Sequence, residues 1–108
     1  MKFLKWSDDR WKSEQGSILK YDKLEHFLLG FIGLFSTLFF FSYIGFWYCL
    51  IIWESLGIGW EIKDGLFTYD GKHIQGFSWK DLLADNYGFM AAVITWSVVW
   101  IIFIAEYQ

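Results

Sequence analysis

The sequence contains no proline and only one cysteine. Without proline, no position is obliged to kink a helix or lock a loop. Cys49 has no partner for an internal disulfide, and its apolar neighbours mark it as a buried, inert thiol. Basic residues are few, nine Lys and Arg against twelve Asp and Glu, for a net charge of −3. They build no concentrated basic face, which excludes a nucleic-acid binder. No G-x-S-x-G run offers a nucleophile elbow. The opening MKFLKWSDDRWKSEQGS has neither the apolar core of a secretory signal nor a lipobox cysteine. Targeting is therefore expected to rest on transmembrane segments.

Apolar surface is what the chain has in excess. Hydrophobic residues make up 56% and aromatics 24%, with eight Trp and twelve Phe in 108 residues. A soluble core of one small domain cannot hide so many rings, so the composition points to a membrane protein. Residues 24–62 are almost continuously apolar. As one helix they would run about 58 Å, against a hydrocarbon thickness of about 30 Å. The run must therefore fold back, and Ser42-Tyr43-Ile44-Gly45 is the natural break.

The predicted fold is an all-α membrane domain, a compact three-helix transmembrane bundle over residues 1–108. Its parts are an interfacial segment (1–20), spans at 24–42, 46–62 and 82–105, and a hairpin loop (64–80). The interfacial segment mixes charges with Phe3, Leu4, Trp6 and Trp11, as in an amphipathic stretch on lipid headgroups. Asp70-Gly71 between short apolar runs predicts a β-hairpin, with His73 exposed near its tip. All Lys and Arg precede the first span or lie between the second and third. The positive-inside rule then sets the N-terminus and hairpin in the cytoplasm and the C-terminus outside, most simply in a bacterial inner membrane.

Each span carries small or polar residues at steps of three or four, a spacing that keeps them on one helix face. The rows are Asp22, His26, Gly30, Gly33, Thr37; then Glu54, Gly57, Glu61, Asp64; then Asp81, Asp85, Gly88, Ala92, Thr95. Small residues let membrane helices approach closely, so the three rows should face one another. The topology then gathers Asp22, His26, Glu61, Asp64, Asp81 and Asp85 at one depth. Carboxylates crowded this way need cations, from Lys20, Lys23, Lys63 and Lys80 or from a divalent ion held by His26, Glu61, Asp64, Asp81 and Asp85. Ser78 and Asp81 fit an S-x-x-D capping box, which would account for Asp81 structurally. Glu54 falls near mid-span, where a charge costs roughly 2.5–3.5 kcal/mol on insertion scales. It is expected to face the bundle, protonated or hydrogen-bonded to Thr37 or Ser36, as part of the pocket.

The stretches YDKLEHF, GWEIKDG and GFSWKDLLADNYG resemble, in order, the D-K-x-x-H-F, K-E-x-x-D and W-S-W-K-D-L-x-x-D-x-x-G motifs of the YfiM-like family of bacterial lipoproteins. The chain is more loosely similar to VanZ-like membrane proteins. The resemblance covers residues 21–90. It assigns Asp22, Lys23, His26, Glu61, Asp64, Ser78, Asp81, Asp85 and Gly88 to the shared pattern. It implies a cell-envelope protein, and in lipoprotein-like members it implies that the first motif lies outside the cytoplasm, opposite to the charge bias.

Three functional readings stay open. One is a carboxylate–His pocket at the membrane interface that binds a cation or an amphipathic, lipid-like ligand. Another is a metal-dependent hydrolase or phosphatase acting on a lipid or lipid-linked substrate, with His26 or Glu61 as general base. The last is an accessory subunit of a larger membrane complex or homo-oligomer, in which the polar residues hold helices together.

Overall fold

A computed structural model describes residues 1–67, 71 and 73–104 of the chain. Three helices dominate: α1 (Asp22–Phe41), α2 (Phe46–Leu66) and α3 (Trp79–Val99), the last running on into a π-helical turn, Trp100–Ile104. Among the described residues there is no strand; an isolated parallel bridge joins Phe3 and Phe77. The molecule measures 56 × 25 × 22 Å.

Local chemistry fixes the helix ends. Asp22 and Glu25 fall in the first turn of α1, where carboxylates favour the positive end of the helix dipole. The chain leaves α1 through a short 3-10 turn, Ser42–Ile44, and enters α2 at Gly45, whose φ of 105° and ψ of 140° suit only glycine. The predicted break is therefore where the reversal occurs. Lys63 occupies the last turn of α2, where a cation complements the dipole, and the helix runs to Leu66 rather than 62. Helix α3 starts at Trp79 rather than 82 because Ser78 caps it, its hydroxyl accepting from the Asp81 N–H at 3.0 Å.

The connection between α2 and α3 and the N-terminal segment are built as follows. Residues 64–66, assigned to the first arm of the hairpin, form the last turn of α2. Thr68–Asp70 and Lys72 lie outside the described residues. The predicted hairpin turn therefore falls largely outside the described residues, and Phe77, beyond it, pairs with the N-terminal segment: Leu4 N–H donates to Phe77 O (2.9 Å) and Phe77 N–H to Lys2 O (2.8 Å). That segment is more than an amphipathic stretch. It is non-helical and folds over one end of the bundle, tied by Lys2 N–H to Gly65 O at 2.9 Å. Backbone groups at 2–4 thus find partners in the folded chain.

Helices α1 and α3 pack most extensively and run parallel, with Lys23 beside Asp81, His26 beside Asp85 and Gly30 against Phe89. Two glycines permit this approach. A methyl group at Gly30 would sit 2.7 Å from Asp85 O, and one at Gly88 would collide with the backbone of Phe27 and Phe31. Helix α2 meets the pair less extensively. Its main anchor there is Trp53, whose ring lies on Gly33 and whose Nε1–H donates to Thr37 Oγ1 at 2.8 Å. The α1 row of small residues is thus shared, Gly30 serving α3 and Gly33 with Thr37 serving α2.

The apolar core is small: Leu34, Leu38, Cys49, Phe89 and Ala92, flanked by Phe31, Phe35, Trp53 and Trp96. Most large hydrophobic side chains face outward, among them Ile32, Phe40, Ile51, Met90, Ile94 and Ile101. Helices Asp22–Ile44 and Trp79–Phe103 are long and apolar enough to cross a membrane. Helix α2 is equally long but more polar, carrying Glu54, Glu61, Lys63 and Asp64.

Candidate functional site

The start of α1, the end of α2 and the start of α3 meet at one end of the bundle, under the N-terminal segment. Buried there are Asp9, Lys23, Glu61, Asp64, Ser78, Lys80, Asp81 and Asp85. Buried charges persist when they are paired and hydrogen-bonded, and most of these are.

Lys23 is the hub. Its Nζ lies 2.6 Å from Asp9 Oδ1, 2.9 Å from Asp22 Oδ2 and 2.7 Å from Asp81 Oδ1. Of the four lysines expected to balance the acids, it alone reaches several of them. Lys80 turns to the N-terminal segment, donating to the carbonyls of Trp6 and Asp9 beside the rings of Trp6 and Trp11. Lys63 pairs with Asp64 (3.2 Å) over the Trp60 ring, and Lys20 pairs with Glu14 at the surface.

His26 is oriented by α3. Its Nδ1 is 2.8 Å from Asp85 Oδ1, and its Nε2 faces Asp81 Oδ2 at 3.4 Å. Glu61, fully buried, accepts from Ser78 N–H through Oε1 at 3.0 Å. This splits the predicted capping box. Ser78 Oγ serves Asp81 N–H as expected, but the Ser78 N–H goes to Glu61 rather than to the Asp81 carboxylate. Asp81 is thereby free to face Lys23 and His26, so capping alone does not account for it. Ser78 Oγ also donates to Asp9 Oδ2. Ser78→Ala removes both bonds and is expected to destabilise the fold by about 1–2 kcal/mol, read as a lower unfolding midpoint in detergent.

A cavity of about 230 Å³ opens beside this network. Asp22, Lys23, His26, Asp64, Asp81 and Asp85 line its polar part, and Leu29, Trp53, Leu56 and Phe89 its apolar wall between the helices. Helix α2 touches its neighbours less extensively than they touch each other, and it supplies one side of this cleft. Gly57 adds to the approach, since a methyl group there would stand 2.8 Å from Asp85 Oδ2.

Glu54 is a correction. It does not line the cavity, and Thr37 is not its partner: that hydroxyl donates to Gly33 O and accepts from Trp53. Glu54 instead accepts from Asn86 Nδ2 at 3.4 Å, outside the cleft. Asn86, on no small-residue row, thus has a neighbour on α2. Ser78 and Glu61 also lie off the cavity wall, buried behind it and bonded to each other. Spacing did not reveal Asp9, which sits in a segment without helical period. It also gave no hint of Glu25, whose carboxylate accepts from the N–H groups of Ser17, Ile18 and Leu19 and holds the chain entering α1.

Comparison with known proteins returned no matching family model, no matching curated protein and no matching solved structure.

Proposed function

We propose that the protein is a small integral membrane protein of the bacterial or phage cell envelope. Its cleft binds a cation or the cationic headgroup of an amphipathic, lipid-like molecule. The observation that carries this reading is the cleft itself, acidic at one end and apolar along its wall. Six carboxylates line it (Asp9, Asp22, Glu25, Asp64, Asp81, Asp85) against Lys23, Lys63 and His26, so it favours a positive group. Leu29, Trp53, Leu56 and Phe89 give an alkyl chain somewhere to lie.

Membrane integration is supported by the outward-facing apolar side chains and by aromatic residues at both ends. Tyr43, Trp47 and Tyr48 are exposed near the α1–α2 turn, and Trp6, Trp11, Trp60 and Trp79 near the polar end. The basic residues that the fold gathers at that polar end favour its placement in the cytoplasm. A cysteine introduced at Lys2 should then resist a membrane-impermeant thiol reagent applied to intact cells. Labelling from outside would reverse the orientation.

Ligand binding is tested by native mass spectrometry in the presence of a chelator. Dodecylammonium should form an adduct with the wild type, and the Asp22→Asn/Asp85→Asn double variant should lose at least about tenfold in affinity, about 1.4 kcal/mol. Equal binding of dodecyl phosphate, or no loss in the double variant, overturns the reading. The second reading, a metal-dependent hydrolase of a lipid-linked substrate, is favoured by one observation: ligand atoms of His26, Glu61 and Asp81 all lie within 4.8 Å of one another.

A further inference from the structure

We infer that His26, Glu61 and Asp81 hold one divalent transition-metal ion, best matched by Zn²⁺, with Asp85 as the residue that positions His26. The inference goes beyond the proposed headgroup binding, and metal binding does not depend on an amphiphile entering.

Three features converge. The first is an unpartnered group. Glu61 is 0% exposed, its Oε1 is committed to Ser78 N–H, and its Oε2 has no hydrogen-bond partner among the described residues. A buried carboxylate oxygen with no donor is costly, and a bound cation relieves that cost. The second is spacing. His26 Nε2 and Asp81 Oδ2 are 3.4 Å apart. That exceeds the roughly 2.7–2.9 Å of a charge-assisted hydrogen bond. It matches the edge of about 3.4 Å between two ligands of a tetrahedral ion bound at about 2.0–2.1 Å. The third is orientation. Asp85 Oδ1 meets His26 Nδ1 at 2.8 Å, leaving Nε2 to face the two carboxylates, the carboxylate–histidine–metal arrangement in which the outer partner fixes the ring.

The donor set selects the ion. One imidazole and two carboxylates suit Zn²⁺ or Mn²⁺ better than Ca²⁺ or Mg²⁺, which prefer oxygen alone. Two carboxylates also neutralise a dication. Lys23 is no obstacle, since Asp9 and Asp22 share its charge and it engages Asp81 through Oδ1, leaving Oδ2 for the ion. Of the other candidate ligands, Asp64 is paired with Lys63 and Asp85 serves the far side of the ring. His26 and Asp81 line the cleft. Three protein ligands leave a fourth position for a water molecule or another donor atom.

The experiment uses the full chain in detergent, stripped with a chelator and titrated with Zn²⁺ by calorimetry and with Co²⁺ by visible absorption. One equivalent of Zn²⁺ should bind, and Co²⁺ should give tetrahedral d–d bands. His26→Gln and Glu61→Gln should abolish both signals. Asp85→Asn should weaken Zn²⁺ about 10–100-fold while keeping the Co²⁺ bands, as expected of a positioning residue. Glu54→Gln should bind as wild type. Zn²⁺ should also raise the thermal midpoint of the wild type but not of Glu61→Gln, which separates loss of the site from loss of the fold. No stoichiometric Zn²⁺ or Co²⁺ binding to the wild type, or undiminished binding to His26→Gln, overturns the proposal. Amphiphile binding under chelator is scored separately, so either result can fail alone.

Discussion

Lys23→Met is expected to lower stability by about 3–5 kcal/mol, a large share of the roughly 5–15 kcal/mol that holds a small domain folded. The methionine is close to lysine in volume, so packing changes little and the loss reports charge. Buried Asp9 and Asp81 and half-buried Asp22 would be left around an apolar side chain without their shared cation. Removing one partner of a buried ion pair costs more than the pair was worth, because the other charge stays buried. The check is a denaturant or thermal unfolding curve in detergent for the wild type, Lys23→Met and a Lys23→Met/Asp9→Asn/Asp81→Asn variant. The added amides should recover part of the loss. If Lys23→Met unfolds at the wild-type midpoint, the buried network is not what holds this end together.

Gly88→Ala is expected to destabilise at or above the upper end of the roughly 1–3 kcal/mol range for overpacking. Most overpacked sites relax by rotating a side chain. Here the added methyl meets the carbonyl and N–H of α1 at Phe27 and Phe31, which cannot turn away. Relief requires α1 and α3 to separate, and the displacement carries His26 away from Asp85. Gly59→Ala is the matched control, because a methyl group at Gly59 meets nothing within 4 Å and helix propensity favours alanine. Gly59→Ala should be neutral or slightly stabilising, with Gly88→Ala far below it. Equal midpoints for the two would mean that α1 and α3 are not in contact at Gly88.

Much of this arrangement was legible in the residue pattern. Three-and-four spacing selected Asp22, His26, Glu61, Asp64, Asp81 and Asp85 because a helix places such residues on one face, and the chain reversal at Gly45 brings those faces to one end. Gly30 and Gly88 marked the close approach for the same reason. The misses share a physical origin. Asp9 lies in a segment with no period, and its role depends on a contact with Lys23 fourteen residues on. Glu54 satisfied the same spacing as Glu61, but the direction of a helix face cannot be read finely enough to show that one turns to Asn86 and the other to Ser78. Turn chemistry at Asp70-Gly71 likewise gave no sign of the pairing of Phe77 with the N-terminal segment, more than seventy residues distant.

The parallel pairing of α1 with α3 also bears on biosynthesis. The chain emerges N-terminus first, so Asp9, Lys23 and His26 exist well before Asp81 and Asp85. Until α3 is made, Lys23 lacks its third carboxylate, His26 lacks the oxygen that fixes its ring, and Gly30 has no helix to lie against. Helix α2, the neighbour in sequence, cannot stand in, because it packs less extensively against α1. Contacts of such long sequence separation form late. The cleft is therefore the last part of the molecule to come into being, and a chain stopped before residue 81 would lack both the third carboxylate of Lys23 and the two that face His26.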